Sequence, residues 1–146
     1  MCVVFFAAFP FFAQAAPRDK SVASVTVYKE ALASEAVYHY TLINKGQYPI
    51  TAFSIGFDYY HGVPELSGLN LQGIYAPASW SGRVIDMEES DNFEIRWETS
   101  SPLQPGQTLR GFKVSHTGHD QQFINSHWTV IIDGPPGHAS SILQAK

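Results

Sequence analysis

Cysteine is almost missing from this chain: Cys2 is the only one among 146 residues. It sits at the head of an N-terminal apolar run, so the body of the chain can form no disulfide, no thiolate metal site and no cysteine nucleophile. It also precedes that run, whereas a lipoprotein cysteine follows it. Charge is sparse, with 15% Asp, Glu, Lys and Arg and a net charge of -4. A negative chain has no field to gather phosphates, which argues against nucleic acid. It offers no polybasic patch to an anionic membrane either. Helix-period segments are lacking. So are the G-x-S-x-G elbow, the P-loop, the G-x-G-x-x-G loop and the H-E-x-x-H helix, which removes the common catalytic signatures.

Apolar residues are present in quantity: 45% hydrophobic, with 14% aromatic. That is enough to build a core without staples and excludes disorder for the body. Residues 3–13 read VVFFAAFPFFA, too short for the roughly 20 residues of a membrane helix. Ala13-Gln14-Ala15 follows and supplies the small residues a signal peptidase reads, with cleavage expected after Ala15. The sequence therefore predicts a signal peptide over residues 1–15 and a periplasmic or secreted protein. No Lys or Arg precedes the apolar run, which leaves a start upstream of Met1 open. The opposite reading is a buried N-terminal strand, which the Phe pairs and Pro10 fit poorly. Roughly 130 residues remain, about the length of one two-sheet sandwich.

From Val22 onward, short strands alternate with turn residues. Strands are expected at residues 22–28, 37–43, 50–59, 83–87, 93–98, 108–115 and 127–132, with a short one at 69–74. Tyr38, Tyr40 and Leu42 share a face. Phe93, Ile95 and Trp97 form a buried face against a wet one of Glu94, Arg96 and Glu98. Residues 30–35 (EALASE) suggest a helical turn. Gly46 is expected to supply positive φ in the Asn44-Lys45-Gly46 turn, Gly56 to mark close packing or a bulge, and Gly111 to break a strand's register. Seven or eight strands without crossover helices predict an all-β, antiparallel two-sheet sandwich over residues 16–138; a closed barrel is the alternative. Residues 139–146 are expected to fray.

Three stretches carry a family resemblance: Tyr38-x-Tyr40-x-Leu42-x-Asn44-x-Gly46, then Pro49-Ile50-Thr51-x-Phe53-x-Ile55, then Pro105-Gly106-x-x-Leu109-x-Gly111-Phe112. Together they resemble the immunoglobulin-like sandwich domains of bacterial exported and surface proteins. In those domains an N-x-G turn joins two core strands and a P-G turn launches a late strand. The resemblance covers about half of the mature chain, and the Cys-Trp-Cys core of antibody domains is absent. It implies a domain that binds, spaces or presents rather than one that catalyses.

Three groups of residues suggest chemistry. His116-x-x-His119-Asp120 and His127 put three imidazoles and a carboxylate close together in sequence, a donor set for Zn or Cu if the intervening loop folds back. Asp86, Glu88, Glu89 and Asp91 crowd one turn with hard oxygens suited to Ca, although the spacing matches no known loop. Tyr60, Tyr75 and Trp80 flank a glycine-rich stretch, with Tyr59 and Trp128 as further candidates, and could stack on sugar rings. His61 could join a site at the end of that stretch. His39 is read as a strand residue on the wet face with no partner. A carboxylate pair for glycoside hydrolysis stays open, since such partners lie far apart in sequence.

The expected function is a non-catalytic exported module that binds a protein or carbohydrate outside the cytoplasm, with no nucleic acid and no membrane partner. The last residues offer no anchor. A periplasmic metal-binding protein is the second reading, and a small secreted hydrolase the third.

Overall fold

The computed structural model describes residues 22–58, 63–64, 70–86, 93–117, 127–134 and 138–142. The signal segment expected over residues 1–15 lies outside them. The described residues form ten strands: β1 (Ala23–Ala31), β2 (Ala36–Asn44), β3 (Ile50–Asp58), β4 (Val63–Pro64), β5 (Asn70–Tyr75), β6 (Trp80–Asp86), β7 (Phe93–Leu103), β8 (Thr108–Thr117), β9 (His127–Ile132) and β10 (His138–Ile142). Apart from the two-residue β4 and from β10, which falls in the stretch expected to fray, eight strands remain, as the sequence predicts. They form two antiparallel sheets rather than a closed barrel. One runs β1-β2-β8-β5 and the other β10-β9-β3-β7-β6, with β4 on β3.

The alternation in β2 explains its role. Residues Ala36, Tyr38, Tyr40, Leu42 and Asn44 are buried and the residues between them half-exposed, so one pleat face fills the space between the sheets. There Phe53 stacks on Trp97 at 5.2 Å, and Phe112 meets both edge-on at 5.3 and 5.4 Å. Tyr40 completes the cluster at 6.0 Å from Phe53. Offset and edge-to-face rings of this kind add to the area they bury. The Tyr40 hydroxyl finds no hydrogen-bond partner among the described residues. Burial, with Tyr38 nearby, holds its pKa well above the ordinary tyrosine value.

The two turns that carried the resemblance make one corner. The buried Asn44 amide donates to the carbonyls of Tyr48 (2.8 Å) and Leu103 (2.9 Å) and accepts from Gly46 N (3.0 Å). Its backbone accepts from Gly106 N at 2.9 Å and donates to Gln107 O at 3.0 Å. Without these bonds the polar groups of the fully buried Asn44 would be desolvated orphans. Gly46 is not at positive φ. A Cβ there would lie 3.0 Å from Val22 Cγ1, so glycine is set by the close approach of the chain's first described residue.

Three other expectations change. Glu30 and Ala31 continue β1 instead of turning helically, and Leu32 N bonds Glu35 O at 2.8 Å to close a hairpin. Local helix propensity of this size yields easily to strand pairing. Glu94 is fully buried and the Arg96 side chain only 16% exposed, while Glu98 is 41% exposed, so the face of β7 expected to be wet is closed at its start and open further along. His116 belongs to β8 rather than to a polar loop. By contrast, the break foreseen at Gly111 is present. Tyr40 pairs with Phe112 and Thr41 with Arg110, leaving Gly111 as the extra residue of a bulge at φ 106°, a conformation that favours glycine.

Candidate functional site

The outward face of the four-stranded sheet carries a row of side chains that crosses every strand. Tyr28 on β1 pairs with His39 on β2, His39 with Lys113 on β8, and Lys113 with Tyr75 on β5. Paired residues on neighbouring strands project to the same side, so the four share one line. Tyr28 is 61% and Tyr75 54% exposed, while their strand neighbours Val27 and Ile74 turn inward to the core.

Each member of the row is held by its surroundings. The His39 ring lies 5.9 Å from the Tyr28 ring, tilted by 47°. Its Nε2 is 3.0 Å from Glu30 Oε2, two residues along β1 on the same face. Tyr75 folds back along its own strand over Gly73: a Cβ on Gly73 would sit 2.8 Å from the Tyr75 hydroxyl and 2.9 Å from its ring. The missing side chain is what lets the phenol lie down on the sheet. From behind, the buried Trp97 indole donates to the Tyr75 carbonyl at 3.0 Å, tying this edge of one sheet to the core of the other. Tyr75, Pro77, Gly111, Lys113 and His39 line a groove of about 490 Å³ that ends at Glu35. The Gly111 bulge brings bare backbone to its wall.

This groove offers the exposed Tyr75 phenol, an imidazole, an ammonium and two carboxylates, with Tyr28 beside His39 on the same sheet face. Glu30 and Glu35 stand beside Lys113 and the His39 imidazole, so the groove has both donors and acceptors. Such a surface suits a polar, uncharged ligand with flat apolar faces.

The residues anticipated from the sequence are distributed differently. Tyr75 is exposed and in the groove. Trp80 opens β6 in the other sheet and is partly buried, with its ring edge-on to Phe112 at 5.1 Å. Tyr60, Tyr59 and His61 lie outside the described residues. Trp128 is buried at 5% exposure. Of the histidines, His116 is 1% exposed on β8 and stacks on Tyr38 at 5.4 Å. His127 opens β9 in the opposite sheet, and His119 and Asp120 fall outside the described residues. Asp86 ends β6, while Glu88, Glu89 and Asp91 fall outside the described residues as well. Among the described residues no three His, Cys, Asp or Glu side chains gather as a metal site. Tyr28, His39, Glu30 and Lys113 were missed. The only signal for them was their outward parity in alternating strands, and that parity does not reveal which strands are neighbours.

No protein-family model matches the chain, and no curated protein matches it. Its backbone is similar to solved structures. An uncharacterized protein from Nocardia farcinica with an immunoglobulin-like fold aligns at TM-score 0.50 and 17% identity, over 82% of this chain and 97% of that one. An inactive mutant of the GH20 exo-β-N-acetylglucosaminidase from Vibrio harveyi aligns at 0.49 and 14%, over 86% of this chain and 18% of that one. The chitin-binding domain of Chi18aC from Streptomyces coelicolor aligns at 0.46 and 13%, over 86% and 95%. The likeness to the Nocardia protein, together with the sheet order, defines the class: an immunoglobulin-like antiparallel β-sandwich.

Proposed function

We propose that this chain is a non-catalytic, exported binding module that holds a glycan on the outer face of its four-stranded sheet. The observation that carries the reading is the row of Tyr28, His39, Lys113 and Tyr75, with exposed rings at both ends and hydrogen-bonding groups between them. A pyranose has an apolar C–H face that packs on a flat aromatic and a rim of hydroxyls that need donors and acceptors. Tyrosine supplies contact area with few rotors to immobilise. Tyr28 and Tyr75 are the two most exposed of the large hydrophobic side chains among the described residues, and they sit at opposite ends of one row on one sheet face.

The test is direct. The purified protein is screened on a glycan array, and hits are measured by calorimetry. Binding is expected, and Tyr75→Ala is expected to weaken it by about tenfold, or 1.4 kcal/mol. Failure of every glycan to bind, or binding unchanged in both Tyr28→Ala and Tyr75→Ala, overturns the reading. A protein partner captured by an open sheet edge would then take its place. Export has a separate readout: N-terminal sequencing of the mature protein from the periplasm or medium is expected to begin at Ala16. A mature chain still carrying residues 3–13 would contradict export.

A further inference from the structure

We infer that the ligand is an extended chain of pyranoses lying across the strands, and that monosaccharides and disaccharides fill only part of the site. This rests on the glycan reading above and specifies its substrate class. The row crosses all four strands of the sheet. Three inter-strand steps of about 4.8 Å place the outer tyrosines roughly 14 Å apart. That backbone separation is more than one sugar ring spans, so a monosaccharide covers only part of the row. The direction follows from the same pairing: Tyr28, His39, Lys113 and Tyr75 are consecutive partners across the sheet, with no second exposed aromatic beside either tyrosine on its own strand. Rings arranged along one strand would favour a ligand parallel to the strands, but these lie perpendicular to them.

The chemistry between the tyrosines fits the middle of such a chain. His39 is fixed by Glu30 at 3.0 Å, and Lys113 stands opposite it in the register. Lys113 presents an ammonium donor and His39 its second ring nitrogen to hydroxyls, and the groove's two carboxylates add acceptors. A polyanionic chain would meet Glu30 and Glu35, and a polycationic one Lys113. A neutral chain meets neither penalty. Gly73 is assigned as a positioning residue: it leaves room for the end of the Tyr75 ring to pass over it.

The probes are cello-oligosaccharides and N-acetyl-chito-oligosaccharides from the dimer to the hexamer, titrated calorimetrically against the purified protein. Affinity is expected to rise about tenfold or more from dimer to tetramer and then level off, as the second tyrosine is engaged without a new association event. Tyr28→Ala and Tyr75→Ala are each expected to lower hexamer affinity about tenfold and to erase the gain with length. Gly73→Ala, folded by circular dichroism, is expected to match Tyr75→Ala for the hexamer. Dimers binding as tightly as hexamers, or only one tyrosine mattering at every length, would overturn the extended site while leaving the glycan reading intact. No binding of any oligosaccharide here, combined with a blank array, would remove both. Wild-type hexamer affinity in Gly73→Ala would overturn the role given to Gly73.

Discussion

The two sheets turn opposite kinds of face outward. On β6 and β7, Arg83 bonds Glu98 at 3.1 Å and Arg96 bonds Glu94 at 2.8 Å, with Glu94 fully buried. On the four-stranded sheet, the outward row ends in two exposed tyrosines around one imidazole–carboxylate pair. Both rows come from strands with the same alternation of residues. In the first, charges satisfy one another, and a partner would have to break those pairs to gain anything. In the second, apolar area and hydrogen-bonding groups still face water, so a ligand can gain from both. Rings exposed in one row, more than exposed charge, distinguish the face proposed to bind.

Substitutions can break or sharpen that contrast. The largest effect is expected at Glu94→Ala, which takes the nearer carboxylate, at 2.8 Å, from the mostly buried Arg96 and leaves it Glu98 at 3.8 Å; denaturant unfolding should show a cost of about 3 kcal/mol. A cost below about 1 kcal/mol would mean that this face behaves like an ordinary solvated one. Next comes a pair of glycines, each beneath an aromatic ring. A Cβ on Gly82 would lie 2.7 Å from the buried Trp97 ring and from Ile74, so Gly82→Ala should cost about 2 kcal/mol through overpacking. Gly73→Ala meets only the free end of the exposed Tyr75 and should cost under about 0.5 kcal/mol. Thermal unfolding of both variants checks the difference.

A smaller effect belongs to the core between the faces. Tyr40→Phe removes a buried hydroxyl without a partner among the described residues and should raise stability by about 1 kcal/mol. Its pH dependence has a defined sign. The folded pKa is raised, so the native state keeps a proton that the unfolded tyrosine loses. This contribution is complete below the unfolded value near 10 and drains away as pH climbs above it. Between about pH 8 and pH 11, Tyr40→Phe should therefore lose less stability than the parent. Equal losses would place the alkaline sensitivity elsewhere. The smallest changes are expected for Arg83→Ala, whose ion pair is exposed on both sides, and for Tyr28→Ala. Each should move stability by less than about 0.5 kcal/mol, so any loss of ligand binding in Tyr28→Ala reads as lost contact.

Parts of this arrangement are legible in the sequence. The strict alternation of residues 36–44 identifies a strand with one buried face, and residues 127–132 give β9 at the same bounds that the structure shows. Gly111 reads as a bulge because a glycine interrupting an alternating strand has few other uses. The EALASE stretch misleads because its residues favour helix locally, while pairing with β2 outweighs a preference worth only tenths of a kcal/mol per residue. Glu94 misleads because alternation predicts which side a residue faces but not whether that side is covered. Tyr75 is legible as an aromatic in a glycine-rich stretch. Trp80, equally aromatic and in the same stretch, packs against Phe112 instead.

The sequence by itself determined that this is an all-β chain, where most of its strands run, which residues fill its core and which turns bind its corner. Those follow from period-two patterning and turn chemistry, which are local properties of the chain. Only the tertiary structure decided which residues form the face proposed to bind. Strand β8 inserts between β2 and β5, and that long-range choice brings Tyr28, His39, Lys113 and Tyr75 into one row although they are spread from residue 28 to residue 113. No local pattern records which strands will be neighbours, because pairing is set by how two sheets bury their faces together.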